Sequence, residues 1–156
     1  MPLETAGMLV FAFEENTTPI PNLRSNRHYK HPASIWARKS RENYEWLLLH
    51  GLFLSDEYKK CYKREHAYQK HIIWCSENIN KIKFNSKKQT PFARCFSTFK
   101  QVLEPIKNPI EAYREFYKLD KPFARWPEVS KIPDWWPEKS NKWVDKSFIN
   151  GQYSKR

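Results

Sequence analysis

The run from Trp46 to Ser55 contains no Lys, Arg, Asp or Glu and lies inside a longer pattern of helical period. Ser40 is a suitable N-cap for this pattern, and Glu42 falls in the first turn, where the helix dipole favours a carboxylate. One predicted face carries Tyr44, Leu47, Leu48, Gly51, Ser55, Tyr58 and Tyr62. The other sides of the middle turns carry Trp46, Leu49, Leu52, Phe53 and Leu54. The pattern therefore predicts the core helix of the domain, with its middle turns covered nearly all round and its basic start exposed to water.

Four further segments predict helices, at residues 3–13, 65–79, 109–119 and a short stretch within 90–105. The first should bury Leu3, Met8, Val10 and Phe11. The short one is suggested by Phe92, Phe96 and Phe99, which recur at three and four. The helix at 109–119 has a clear start, with Asn108 as N-cap, Pro109 at the first helical position and Glu111 to complete a capping box. We predict an all-α fold, a compact single-domain bundle of about five helices over residues 1–156.

The remaining segments lack a long period. Residues 120–143 are rich in Pro and Trp and predict an aromatic strap whose rings lie against the bundle. Residues 145–156 are polar, and we expect a frayed tail there. Residues 14–30 read as a loop that carries Arg24 and Arg27, and residues 81–88 form a basic loop.

The chain is strongly basic, with a net charge of +11, and 16% of its residues are aromatic. Cations attract a polyanion and rings offer stacking surfaces for bases, so this composition suits nucleic-acid binding. The alternative is a charge that serves solubility and is spread evenly over the surface. With only three Gly and no GxxxxGK or GxGxxG, nucleotide chemistry based on those loops is excluded.

The three cysteines form no CxxC pair, so the sequence indicates neither a disulfide framework nor a zinc knuckle. His66 and His71 are five residues apart, and His71 and Cys75 are four apart. One such pair is a weak metal signal, because zinc needs three or four ligands and no further Cys/His pair is at hand; we expect no metal and no cofactor. Cys61 and Cys75 fit small core residues better than nucleophiles. No signal peptide is evident, and the longest uncharged run is shorter than the roughly 20 residues that cross a bilayer. We expect a cytoplasmic monomer without membrane contact.

His31 precedes Pro32 at a predicted loop-to-helix junction, with Arg38 and Arg41 in the turns that follow. Donors near helix N-termini suit phosphate binding. His31 could equally bond the backbone and fix the turn.

Two other groups of residues invite a functional interpretation. Arg114, Lys121, Arg125 and Trp126 could contact nucleic acid or merely cover a helix end. Glu4 has apolar neighbours; if buried it would need a partner, as catalytic carboxylates often have, whereas an exposed position on the helix surface would be unremarkable.

The chain carries a series of longer motifs: MPLETAGML, YKHPASIWARKSRENYEWL, TPFA, NPIEAYREFYKLDKPFARW and IPDWW. In this order they resemble a family of small phage-borne and bacterial proteins, over nearly the whole chain. That family in turn resembles the pyrimidine-dimer DNA glycosylases of the endonuclease V type, mainly in the first helix and the segment around His31. Family members begin earlier, with a DKHVxK stretch that runs into the first helix, so we expect this chain to lack the upstream part of that helix.

The resemblance to the glycosylases implies specific roles. In those enzymes an N-terminal amine attacks the sugar C1′ and forms a Schiff base, while a Glu of the first helix assists strand cleavage. Glu4 matches that Glu, and Pro2 would supply the amine if Met1 were removed. His31 and Arg38 match residues near the DNA-binding face, and Trp36 or Trp126 would line the pocket for a flipped base. Arg24, Arg27 and Arg41 are added on charge alone.

Three hypotheses follow from these observations. The first is a DNA repair or processing protein resembling a pyrimidine-dimer DNA glycosylase/AP lyase, acting on damaged or modified duplex DNA. The second is a non-catalytic, basic nucleic-acid-binding accessory protein of a phage. The third is an enzyme that acts on free nucleotides or modified bases, with the charge incidental.

Overall fold

A computed structural model describes residues 1–15, 29–121, 124 and 131–136. Within these residues the chain forms α-helices and no β-strand, which confirms the all-α prediction. The helices are α1 (Pro2–Glu15), α2 (Pro32–Lys39), α3 (Arg41–Tyr62), α4 (Gln69–Asn78), α5 (Lys100–Leu103) and α6 (Pro109–Asp120), with a 3-10 turn at Ile79–Lys81. None of these helices has both the length and the apolar character that a membrane span requires. The chain divides into two compact units, Met1–Cys95 and Phe96–Arg156.

The N-terminal unit is built on α3, against which α1, α2 and α4 pack. Its core comes from the apolar faces of these helices, with Leu9, Phe13, Tyr44 and Ile72 fully buried. The Tyr44 hydroxyl donates to the Leu9 carbonyl at 3.3 Å, and the Phe13 ring meets the Tyr44 ring edge-on at 6.3 Å. These contacts join α1 to the first half of α3. The prediction that α3 is the central helix is therefore confirmed.

Two helices approach the backbone of α3 closely at Gly51, midway along it. A Cβ atom added there would lie 2.7 Å from Thr5 Cγ2 and 3.1 Å from Ile72 Cδ1. Gly51 is thus the position at which both α1 and α4 approach the α3 backbone. The absence of a side chain allows this packing.

The prediction that α3 is covered nearly all round is wrong. Its buried face carries Tyr44, Leu47, Leu48, Gly51 and Ser55, as expected. On the other side, however, Trp46 is 40% exposed, Leu49 53% and Phe53 70%. The reason is that α1 and α4 pack on the Gly51 side, whereas on the other side Trp36 of α2 and Phe92 cover only part of Trp46. The predicted burial of Leu3 is wrong too, since its side chain is exposed, and Tyr62 at the end of the predicted face is also exposed.

The predicted short helix through Phe92, Phe96 and Phe99 does not form. The chain is irregular from residue 82 to 99, and only the four residues of α5 are helical. Thr90 explains the difference, because its N–H donates to Asn43 Oδ1 at 2.9 Å and its carbonyl accepts from Trp36 Nε1 at 3.3 Å. Hydrogen bonds from Thr90 to α2 and α3 thus take the place of the backbone hydrogen bonds of a local helix. Phe92 packs on the core of the N-terminal unit.

The C-terminal unit contains α5 and α6. Asn108 caps α6 as predicted, since its Oδ1 accepts from the N–H of Ile110 at 2.9 Å. The Phe96 ring stacks on that of Phe116 at 5.8 Å and meets Tyr113 edge-on at 5.4 Å. Of the aromatic residues in the predicted strap the structure describes Trp135 and Trp136, whose rings lie 5.6 Å apart. Phe123, Trp126 and the tail 145–156 lie outside the described residues.

Candidate nucleic-acid interface

The corner between α2 and α3 brings three basic residues together. His31 caps α2, since its Nδ1 accepts from the Ala33 N–H at 3.2 Å. Ser40 ends α2 in an extended conformation and also caps α3, because its Oγ accepts from the Asn43 N–H at 3.2 Å. With a single residue between the helices, Arg38, Lys39 and Arg41 all lie at this corner. The corner therefore carries three positive side chains.

The buried side chain of Asn43 fastens a distant segment to this corner. Its Nδ2 donates to the Trp36 carbonyl at 2.7 Å and to Thr90 Oγ1 at 2.8 Å, and its Oδ1 accepts from the Thr90 N–H. Two backbone bonds extend the attachment: the Arg41 N–H donates to the Ser86 carbonyl at 2.9 Å and the Glu42 N–H to the Lys87 carbonyl at 3.1 Å. The basic loop is therefore held against the start of α3.

This attachment creates what we call the basic surface: Lys39, Arg41, Lys81, Lys87 and Lys88. The four lysines are exposed, and within the part of the chain that the structure describes none of them forms an ion pair. The two neighbouring carboxylates, those of Glu42 and Glu45, already have partners. Glu45 pairs with Arg41 at 2.8 Å. Glu42 accepts from the Gln89 N–H at 2.8 Å. The net charge of this part of the surface is thus strongly positive.

Aromatic rings lie beside the basic surface, one turn further along α3. The half-exposed ring of Trp46 stacks on that of His50, with centroids 5.2 Å apart and planes 13° from parallel. Phe92 and Trp36 meet Trp46 at angles of 62° and 84° and centroid distances of 4.6 and 5.8 Å. The inner rings therefore fix the orientation of the outer pair.

Several residues singled out in the sequence are used inside the fold. Arg38 donates to the Tyr29 carbonyl and to Ser34 Oγ, and its guanidinium lies 4.4 Å from the centre of the Tyr29 ring. Trp36 is buried. Arg41 donates to Asn80 Oδ1 at 3.2 Å in addition to its pair with Glu45. The His31 bond to Ala33 is the turn-fixing role that the sequence left open.

The first backbone N–H groups of α3 are also occupied. Those of Arg41 and Glu42 donate to carbonyls of the basic loop, and that of Asn43 to Ser40 Oγ. A phosphate at this corner would therefore meet side-chain cations rather than the backbone of the α3 N-terminus.

Glu4 and Pro2 belong to α1. Pro2 is buried in the first turn of α1, while Glu4 is 51% exposed, with its Oε2 3.2 Å from the Met1 amine. The next residue, Thr5, packs at Gly51, which is ten residues, or about 15 Å, along α3 from Arg41. Among the described residues the Glu4 carboxylate bonds to the Met1 amine, and no bond joins it to His31, Arg38 or Arg41.

Two histidines lie close enough to the Met1 amine for its charge to lower their pKa values. Partial burial lowers the pKa of His50, and the positive charge of the amine lowers it further. The pKa of His66 is lowered by the same two causes, in the same order, and then by Arg64. Both pKa values are lowered, which favours the neutral form of each imidazole.

Cys75 is buried in the core of the N-terminal unit. Burial raises the pKa of its thiol to about 12, although a hydrogen bond with Tyr44 acts in the opposite direction. A thiol with this pKa is protonated at neutral pH and unsuited to act as a nucleophile. Among the described residues, no three His, Cys, Asp or Glu side chains form a group that could hold a metal ion.

The remaining predicted residues are in the C-terminal unit or outside the described residues. The Arg114 guanidinium lies 5.9 Å from the centre of the Trp135 ring, and Lys121 Nζ is 2.7 Å from Asp120 Oδ2. Arg24, Arg27 and Trp126 fall outside the described residues.

Sequence reasoning did not select Lys39, Lys81, Lys87, Lys88 or Trp46 as binding residues. The charge of the loop at 81–88 was a visible signal. Its position beside the α2–α3 corner was not, because the bonds that hold it there join residues 47 apart in the chain.

Comparison of the chain with protein-family models, curated proteins and solved structures gives no match.

Proposed function

We propose that this protein binds nucleic acid through the basic surface. The observation that carries the proposal is the attachment of the loop by Asn43, which places Lys87 and Lys88 beside Lys39 and Arg41. Long-range attraction from a net charge of +11 would favour encounter with any polyanion. Local clustering of exposed lysines would then favour contact with successive phosphates at this surface.

Exchange of two lysines on the basic surface tests this function. We expect Lys87→Gln combined with Lys88→Gln to weaken DNA binding and to reduce the slope of log Kd against log salt by about 0.7–0.9 per lysine. The loss should be similar for every DNA sequence, because phosphate contacts carry no base information. Fluorescence anisotropy with labelled DNA over a range of salt concentrations measures both quantities.

The matched control is Lys59→Gln combined with Lys60→Gln, in the last turn of α3. These lysines pair with Glu65 at 3.1 Å and Glu57 at 3.5 Å. Both double variants lose the same two charges, so a uniform effect of net charge would weaken binding equally in each. Equal weakening would support a charge spread over the surface and contradict a localised interface.

A second proposed function is an amine-dependent DNA lyase activity at Glu4, the role that the resemblance implies. The proximity of the Met1 amine to the Glu4 carboxylate, at 3.2 Å, favours it. The amine nitrogen would bond to C1′ of the open sugar at an abasic site, with loss of water, to give an imine. Removal of a C2′ proton would then expel the 3′ phosphate with the bonding electron pair and cut the strand. Glu4 would assist this elimination.

Sodium borohydride tests the lyase activity, because it reduces the imine to a stable covalent adduct. We expect an adduct on an abasic-site duplex with this chain or with a form extended upstream in its own reading frame. Glu4→Gln should lower strand cleavage by at least about 100-fold, the lower end of the usual contribution of acid–base catalysis. An adduct only in the extended form would place the nucleophile upstream of Met1. Absence of adduct in both forms, with salt-sensitive binding intact, would leave the binding function alone.

A further inference from the structure

The exposed side of α3 continues from the basic surface as a stripe of apolar and aromatic side chains. Trp46, Leu49 and Phe53 recur at helical spacing and are 40%, 53% and 70% exposed. A helix surface of this composition, next to lysines that form no ion pair with any described residue, is unusual for a face that meets only water. The stripe begins five residues, or a rise of about 7.5 Å along the helix axis, after Arg41.

The Trp46–His50 pair is already arranged as the start of a stack. Its rings are nearly parallel at 5.2 Å, and the rings of Phe92 and Trp36 hold Trp46 from the protein side. A further planar ring could extend this stack. Bases stack on such platforms in proteins that bind single strands, where adjacent cations contact the backbone of the same strand.

Base pairing decides which nucleic acid can use the platform. In a duplex the bases are stacked on each other and shielded by the two backbones, so their faces are unavailable. An unpaired strand offers a free base beside each phosphate. The adjacency of the basic surface and the Trp46–His50 pair therefore suits a single strand better than a duplex.

We infer that the protein binds single-stranded nucleic acid, with phosphates on the basic surface and a base stacked on the Trp46–His50 pair; this inference rests on the proposed nucleic-acid-binding function. The cations that would contact phosphates and the rings that would stack on a base all belong to described residues of the N-terminal unit. The binding preference is for unpaired bases, with no requirement for a particular sequence.

Direct competition tests the inference on the unaltered protein. We expect labelled oligothymidine to bind more tightly than a duplex of equal length at the same salt concentration. Trp46→Leu should weaken binding to the single strand by about ten-fold, the loss of one stacked base, and change duplex binding by less than about two-fold. Trp46→Phe, which keeps a ring, should retain most of the affinity.

Tyr62→Leu is the matched control. It removes an exposed ring from the same helix, 16 residues or about 24 Å from Trp46, and should leave the affinity unchanged. Because Trp46 contacts Trp36 and Phe92, circular dichroism must show that Trp46→Leu remains folded. If it does not, His50→Ala removes the other ring of the pair with a smaller change in packing, and it should likewise weaken binding to the single strand more than binding to the duplex.

The outcomes separate the two proposals. Absence of binding to either DNA would overturn the proposed function together with the inference. Equal, salt-sensitive binding to both, unaffected at Trp46, would overturn only the inference. Self-association that Trp46→Leu abolishes, without a preference for single strands, would identify the stripe as a contact between copies and likewise overturn it.

Discussion

Asn43→Ala should lower the free energy of unfolding of the N-terminal unit by about 3 kcal/mol. The substitution removes three hydrogen bonds of a fully buried side chain and leaves the Trp36 carbonyl and the Thr90 N–H without their partners. A buried polar group that loses its partner costs about 1–3 kcal/mol. Urea unfolding followed by far-ultraviolet circular dichroism measures the change, provided that the m-value stays constant.

Asn85→Ala provides the control for the Asn43 substitution. It is the same chemical change in the attached loop, at an exposed residue, and should alter the free energy of unfolding by no more than about 0.5 kcal/mol. A loss below about 1 kcal/mol at Asn43 would show that water replaces the missing amide and that the attachment is not what holds the loop. Where Asn43→Ala remains folded, its DNA affinity should fall toward that of the Lys87 and Lys88 double variant.

Gly51→Ala should also destabilise the protein, by about 1–2 kcal/mol, although alanine is the better helix former by about 1 kcal/mol. The new methyl group would lie 2.7 Å from Thr5 Cγ2, a branched side chain that is itself buried and cannot easily turn away. Overpacking should therefore outweigh the gain in helix propensity. Thermal and urea unfolding measure the net effect.

A double-mutant cycle with Thr5→Ser identifies the clash. Serine keeps the hydroxyl that donates to the Met1 carbonyl at 3.3 Å but lacks the methyl group. In the Thr5→Ser background Gly51→Ala should become neutral or stabilising, with a coupling energy of about 1–2 kcal/mol between the two sites. Additive effects would show that the strain lies elsewhere, for example at Ile72.

Local signals in the sequence predicted the parts of the fold that depend on neighbours in the chain. Asn108 and Pro109 fixed the start of α6, and Ser40 fixed the start of α3, because a helix cap is formed within three or four residues. Periodicity also identified the buried face of α3. It could not show how many other helices would pack on α3, so the exposure of Trp46, Leu49 and Phe53 was missed.

The candidate interface depends on contacts that no local pattern reveals. The helical spacing of Phe92, Phe96 and Phe99 was overridden by the bonds of Thr90 to Asn43 and Trp36. Residue type alone identified Arg38 and Arg41 as cations but not that hydrogen bonds within the fold engage both. The lysines of the loop became relevant only once their position beside α3 was known.

Ser40 has a consequence for the energetics of binding. Since one buried residue both ends α2 and caps α3, there is no flexible linker between the helices, and the backbone spacing of Lys39 and Arg41 is set before any ligand arrives. Ordering of a mobile segment is one of the main entropic penalties of association, and here the backbone would not incur it. At this corner a ligand would therefore have to order only the long side chains.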